Sequence, residues 1–359
     1  MRSSSLLITL TSLLTACGQG NPQEQLPAEA ARNKDTLVHQ GTPLAQYVVE
    51  AFADDRGTVW FGTMEHGMAS YNGNDVAFFP GTEGLIVANI AQDAEGRIWF
   101  AGHDGTGLRH FDPAVATPEI NTVWTQETSV ATDRSGTVWV GTRAGILHQE
   151  GDRFVPFPLP FDRSTIGQYA IVPGRASLAL EDSHGNLWFR TDGAGAIRYK
   201  DGTFTQFTKE HGLCSNMVNG IVEDDQGRLW IICMQGYQPK MTHDGGLCRL
   251  EDPTVATAEE ARFTNFPDTE GLHHNDLYTL FKDSGGAIWI GATGRGAYRY
   301  QDGEFTLFDR TDRPDLNASF GLQGMAEDAQ GRLWCGFSGG LFRLDEGTFK
   351  HMPREGPWE

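Results

Sequence analysis

Short apolar strings centred on a tryptophan recur along the chain, as in Val59-Trp60-Phe61 and Leu229-Trp230-Ile231. A strand that is apolar at consecutive positions is buried on both faces, so these strings belong inside a covered sheet. A weakly alternating stretch such as Met217 to Glu223 precedes each string, and a glycine-rich turn after it leads to another, such as Ala297 to Tyr300. The turn Gln301-Asp302-Gly303 then joins a last stretch, Glu304 to Phe308. The pattern predicts four short antiparallel strands per unit, lettered A to D here, with the tryptophan on strand B.

The unit repeats. Seven of the nine tryptophans have Asp six positions before them and Gly three before. The frames are Asp54/Gly57/Trp60, Asp93/Gly96/Trp99, Asp133/Gly136/Trp139, Asp182/Gly185/Trp188, Asp224/Gly227/Trp230, Asp283/Gly286/Trp289 and Asp328/Gly331/Trp334. The tryptophans are spaced 39, 40, 49, 42, 59 and 45 residues apart. Asp-x-x-Gly is a tight turn, in which Asp caps downstream backbone N–H groups and Gly takes a positive φ. Four strands in each period of about 40–45 residues is the signature of a propeller. The expected fold is all-β, a seven-bladed β-propeller of four-stranded antiparallel blades over residues 36–359. The seven indoles are then core between blades, because the same position in every blade cannot face one ligand.

The N-terminus departs from this pattern. Met1-Arg2 precedes an apolar run from Leu6 to Leu14, too short to span a bilayer but suited to a signal peptide. Leu14-Thr15-Ala16-Cys17 resembles the bacterial lipobox, which implies a signal peptide over residues 1–16, cleavage before Cys17 and a lipid on its sulfur. Gly18 at the following position resembles the outer-membrane default, so the expected location is the outer membrane, facing the periplasm or the cell surface. Residues 17–35, rich in Gln, Glu, Ala, Asn and Pro, read as a flexible tether. The formal net charge of −19 disfavours nucleic acid, whose binding needs phosphates neutralised by Lys and Arg. A local basic pocket is still allowed.

The stretch from Gly212 through Leu213-Cys214-Ser215-Asn216 to Trp230 resembles the two-component regulator propeller repeat, as do Gly271 to Trp289 and Trp60-Phe-Gly-Thr63. The likeness covers residues 44 to 352. In that family the repeats form periplasmic ligand-sensing propellers, often fused to a membrane helix and a histidine kinase, with carbohydrate fragments among the ligands. The present chain stops at Glu359, directly after the last blade. The resemblance therefore implies sensing through a partner protein of the envelope, with membrane contact through the lipid alone. A weaker resemblance is to streptogramin B lyase propellers, whose catalytic set is a His and a Glu-x-His pair around magnesium. No Glu-x-His occurs in this sequence; Glu65-His66 and Glu210-His211 are adjacent pairs.

Chain direction puts the D–A and B–C loops on one face, where length and residue type vary, and the standardised A–B turns on the other. Loops that vary on a rigid scaffold are where sites are built. His66, His103, His211, His243, His273 and His274 map to the variable face, without recognised metal spacing. The longest insertions, Leu159–Arg175 and Met234–Asp244, stand over blades four and five. There Arg190 occupies the position two after Trp188, where other blades mostly carry a small residue. Arg190, Asp192, His211, Tyr237 and His243 are expected to line a site for a small polar or acidic ligand such as a sugar acid, another saccharide or a peptide carboxylate. Among the cysteines, Cys214 and Cys233 are the expected pair, Cys248 is unassigned, Cys335 is expected as a buried free thiol, and no zinc site is expected. No catalytic motif, catalytic residue or cofactor is expected, although a divalent metal stays open. The sequence thus points to a non-enzymatic, sensor-type ligand-binding propeller. The alternatives are an interaction scaffold in an envelope assembly and a metal-dependent lyase or hydrolase of the streptogramin-lyase type.

Overall fold

Each Asp-x-x-Gly-x-x-Trp frame closes on itself through hydrogen bonds. Asp54 Oδ1 accepts the backbone N–H of Arg56 at 3.0 Å and of Thr58 at 2.8 Å. The other carboxylate oxygen accepts the indole N–H of the Trp six residues on, at 2.5–2.9 Å in all seven frames. Gly donates its N–H back to the Asp carbonyl and sits at φ between +75° and +84° in every frame. Asp is needed because both its oxygens accept; an Asn amide would turn a donor toward the indole N–H.

The computed structural model describes residues 42–161, 166, 174–235, 244–266, 272, 276–315, 321–356 and 358. The expected signal peptide and the expected tether with Cys17 lie outside them. The chain forms seven four-stranded antiparallel sheets, each built from consecutive strands. Blade one is β1 (Val48–Ala53), β2 (Val59–Thr63), β3 (Met68–Tyr71) and β4 (Val76–Phe78). Blade two is β5 (Asn89–Gln92), β6 (Ile98–Gly102), β7 (Gly107–Phe111) and β8 (Asn121–Trp124). Blade three is β9 (Thr128–Thr132), β10 (Val138–Thr142), β11 (Gly145–Glu150) and β12 (Arg153–Phe157). Blade four is β13 (Ala176–Glu181), β14 (Leu187–Thr191), β15 (Ala196–Lys200) and β16 (Thr203–Phe207). Blade five is β17 (Val218–Glu223), β18 (Leu229–Cys233), β19 (Gly246–Leu250) and β20 (Phe263–Asn265). Blade six is β21 (Leu277–Lys282), β22 (Ile288–Ala292), β23 (Gly296–Gln301) and β24 (Glu304–Phe308). Blade seven is β25 (Leu322–Glu327), β26 (Leu333–Phe337), β27 (Gly340–Asp345) and β28 (Thr348–His351).

Strands A, the inner strands β1, β5, β9, β13, β17, β21 and β25, touch one another in turn and β25 returns to β1, so the sheets close into a ring. The ends of the propeller meet at this closing seam. Pro43 bridges Pro353, the Thr42 N–H donates to Glu355 at 3.0 Å, and Leu44, Ala45 and Met352 share a core with Trp334.

All seven frame tryptophans are buried, the most exposed at 5%. Each packs on the next blade: Trp60 against Ile98 and Phe100, Trp188 against Leu229 and Ile231, and Trp334 against Phe61 and Tyr71. Because a large aromatic dominates the energetics of such a seam, the indoles hold the ring together. A belt of polar contacts reinforces the A–B turn face. In five of the seven frames the residue after the frame Asp reaches the last strand-A residue of the next blade: Asp55 to Gln92, Arg134 to Glu181, Ser183 to Glu223, Asp225 to Lys282 and Ser284 to Glu327.

Close approach of neighbouring blades explains the small residue two after Trp. A Cβ on Gly62 would lie 2.3 Å from the Val87 carbonyl oxygen, on Gly141 2.4 Å from that of Ala176, and on Gly336 2.4 Å from that of Val48. Arg190 in blade four and Ile232 in blade five depart from this rule, and of the two Arg190 is charged.

Candidate functional site

The inner strands begin on the variable face, so their first residues surround the propeller axis there. They line a cavity of about 420 Å³ together with side chains from the B–C and D–A loops. A second cavity of about 280 Å³ continues along the same strands. Glu50, Asn89, Arg190, Asn219, Tyr278 and Gln323 line both and form a polar ring between them.

Arg190 enters this ring from β14. Its Nε–H donates to Ser177 Oγ at 2.7 Å, and Nη1–H donates to the Asn219 carbonyl of the next blade. The blade-four side chain thus makes a hydrogen bond to the neighbouring inner strand, where glycine in blades one, three, six and seven merely leaves room. Protein surrounds the guanidinium, yet the residue keeps partial solvent contact along the cavity. Burial and the charge of Arg175 lower its pKa, while Asp192 and Glu50 oppose them. Glu50 is pushed up to about 7 by burial, which the Ala51 N–H, the Arg190 charge and the Asn89 side chain offset only in part. Near neutral pH, Glu50 is therefore divided between its acid and carboxylate forms.

Ion pairs occupy the mouth. Arg175 Nη2 lies 3.1 Å from Asp192 Oδ2. Glu127 bridges His103 Nδ1 at 3.0 Å and Arg143 Nη2 at 2.7 Å. Burial raises the Glu127 carboxyl, but the Arg143 hydrogen bond and the charges of His103, Arg143 and Arg175 bring it below its ordinary value. Three guanidiniums, an imidazole, neutral amides, the paired carboxylates of Glu127 and Asp192, and the Glu50 carboxyl that gains a proton near neutrality therefore face one hollow. Guanidinium forks match carboxylates in geometry as well as charge.

Of the sequence candidates, Arg190, Asp192 and His103 come together in this lining. His66 lies outside it, exposed, with its ring edge-on to Phe78 at 6.0 Å. His211 also lies outside, where its Nδ1 accepts the Thr208 N–H at 3.0 Å and closes the short turn Lys209–His211. Tyr237, His243, His273 and His274 fall outside the described residues, as does most of both long insertions. Sequence reasoning missed Glu50, Asn89, Arg143, Arg175, Asn219 and Gln323. A signal for the axial ones was present, since each sits four or five positions before its frame Asp, near the start of strand A.

The expected Cys214–Cys233 pairing is not made. Cys214, Cys233, Cys248 and Cys335 are all free thiols. The first three instead converge, their Sγ atoms lying within 4.8 Å of one another. Cys335 is buried as expected, and burial raises its thiol pKa.

Residues 212–235 match the Two component regulator propeller family, so the chain carries that repeat. No curated protein sequence matches the chain. Among solved structures, it is similar to the extracellular domain of the hybrid two component system BT3049 from B. thetaiotaomicron, with 19% identity and a TM-score of 0.62. That match covers 85% of this chain and 40% of the other, so the chain spans well under half of the sensor domain. Virginiamycin B lyase from Staphylococcus aureus is similar at 14% identity and a TM-score of 0.58, covering 85% of this chain and 95% of the lyase. PorZ, an essential surface component of the type-IX secretion system of Porphyromonas gingivalis, is similar at 16% identity and a TM-score of 0.51, over 82% of this chain and 46% of PorZ. At these identities the likenesses establish the propeller fold. No helix among the described residues is long and apolar enough to cross a membrane.

Proposed function

We propose that the protein is an exported, non-enzymatic ligand-binding propeller, tethered by a lipid on Cys17, that takes a small acidic ligand in its axial cavity and acts through a partner protein of the envelope. The ligand class is a sugar acid, an acidic saccharide fragment or a peptide carboxylate. One observation carries this reading: Arg143, Arg175 and Arg190 line a single hollow in a chain of net charge −19. Two of these guanidiniums are held by carboxyls of the protein, Arg143 by Glu127 and Arg175 by Asp192, and a ligand carboxylate can take up the same fork geometry. The repeat at residues 212–235 and the likeness to a sensor's extracellular domain support the sensor role. A concave polar cavity favours a ligand over the scaffold alternative, which would need only a broad outer rim. For the lyase alternative, the described lining offers one imidazole, His103, already paired with Glu127.

A thermal-shift titration of the full chain tests this, because a ligand of the native state raises its melting temperature. Galacturonate and glucuronate are compared with galactose and glucose. Acidic sugars are expected to raise the midpoint in wild type and to lose most of that effect in Arg175→Ala. An equal response to neutral and acidic sugars would refute the acidic-ligand reading.

A further inference from the structure

Blade five gathers three thiols from three separate elements. Cys233 ends β18, and Cys248 lies on β19 opposite Ile231, two positions along, so both side chains share one face of the sheet. Cys214 comes from the connection between blades four and five. The Lys209–His211 turn, a Gly212 at φ +103°, and the Lys209–Asp244 pair at 2.6 Å bring that connection over the sheet. Cys214 Sγ–H donates to Asn265 Oδ1 at 3.2 Å, and Cys233 Sγ–H to the Ser215 carbonyl at 3.4 Å.

The repeat itself does not ask for sulfur here. The position of Cys233, three after Trp, holds Thr63, Gly102, Thr142, Thr191, Ala292 and Phe337 in the other blades. The position of Cys248, facing the residue after Trp, holds Ala69, Arg109, Leu147, Ile197, Tyr298 and Phe342. Cysteine as a small apolar filler would explain one such site. Three on separate elements, converging on one point, require a common cause.

Packing around the trio is apolar, from Trp188, Phe207, Leu213 and Ile231. Cys233 and Cys248 are fully buried and Cys214 is partly so, which leaves the three sulfurs in a nearly dry setting.

We infer that Cys214, Cys233 and Cys248 form a trigonal sulfur site for a soft monovalent d10 metal ion, Cu(I). An ion held at a metal–sulfur distance of about 2.3 Å needs three sulfurs roughly 4 Å apart, and the sulfurs already lie within 4.8 Å of one another. Structural zinc closes a set of four ligands, and among the described residues no His or carboxylate joins this trio. Soft sulfur donors in an apolar shell suit Cu(I). Asn265 and the Ser215 carbonyl, which accept thiol protons in the metal-free protein, are released when those protons leave.

The test is anaerobic titration of the reduced full chain with Cu(I) against a chromogenic Cu(I) chelator, with X-ray absorption on the loaded protein. Wild type and Cys335→Ser are expected to hold one Cu(I) per chain, surrounded by sulfur alone. Cys248→Ala is expected to lose affinity by at least roughly a hundredfold, more than loss of a mere supporting residue causes. The absorption spectrum of wild type guards against a variant that simply misfolds. Wild type that yields all its Cu(I) to the chelator, nitrogen or oxygen neighbours in place of three sulfurs, or a preference for Zn(II) over Cu(I) would overturn the site. So would a disulfide joining two of the three in protein isolated from the envelope.

Discussion

Asp182 offers the sharpest test of the ring's construction. Its carboxylate accepts four hydrogen bonds: from the His184 N–H at 2.9 Å, the Asn186 N–H at 2.8 Å, Asn186 Nδ2 at 2.6 Å and Trp188 Nε1 at 2.8 Å. Asp182 is 1% exposed and Trp188 is fully buried, so water cannot replace the carboxylate at the indole. Asp182→Ala strands two or three buried donors at about 1–3 kcal/mol each, a loss of about 4 kcal/mol. For a domain of this size that lowers the melting temperature by roughly 8 °C. Asp182→Asn keeps one accepting oxygen but presents an NH2 to two other donors, and about 2 kcal/mol is expected. Trp188→Phe removes the indole donor, so Asp182→Asn should cost less in that background, and the double-mutant cycle measures the difference. The assay is equilibrium unfolding in urea, followed by both tryptophan fluorescence and far-UV circular dichroism, with coincident transitions required. A cost below about 1 kcal/mol for Asp182→Ala would show that the frame aspartate does not carry the turn.

Further outcomes follow from the seams and the axis. Gly62→Ala should destabilise by about 1–3 kcal/mol, because its Cβ would meet the Val87 carbonyl at 2.3 Å; unchanged urea unfolding would count against tight blade seams. Glu50 has a folded pKa raised from 4.5 to about 7, so its contribution favours the folded state below pH 4.5 and is lost as pH rises through about 7. Glu50→Gln should flatten the stability profile across that interval, and an unaltered profile would place the titrating group elsewhere. Protonating Glu50 also removes the anion competing for Arg190, so affinity for an acidic ligand should rise as pH falls through 7 in wild type but not in Glu50→Gln, as read by calorimetry at each pH. Asp224 and Asp328 show the opposite shift. Burial raises them, but the indole and arginine-side hydrogen bonds win and lower them below 3.8, so the stability they contribute is lost only in acid below that value. Acid unfolding monitored by fluorescence should move to higher pH when Trp334→Phe removes one such bond.

The extent to which sequence sufficed differs by scale. The frame of Asp, Gly and Trp acts within seven residues, so its turn, its strand and their number are legible from the chain alone. The carboxylate–indole bond lies in the same frame but was not anticipated, because turn chemistry explains Asp without it. Arg190 stood out because it violates the repeat, and His103 was found by face. His66 and His211 share that face and yet serve elsewhere, since the mapping of a loop to a face does not tell which way its side chains turn. Glu50, Asn89, Asn219 and Gln323 are separated by up to 273 positions (323 − 50) and belong to four blades.

What the sequence determined is therefore the unit and its repetition: local hydrogen bonds and alternation fix a four-strand blade wherever the pattern recurs. What closure of the ring alone decided is which polar residues meet. Side chains at equivalent positions of distant blades become neighbours only when the inner strands converge on one axis, and Cys214, Cys233 and Cys248 meet only when the loop before β17 folds over the sheet. The offset from the frame Asp marks the axial positions, but it does not tell which residues meet, because each encounter depends on the sum of all seven blade angles or on the path of a connecting loop.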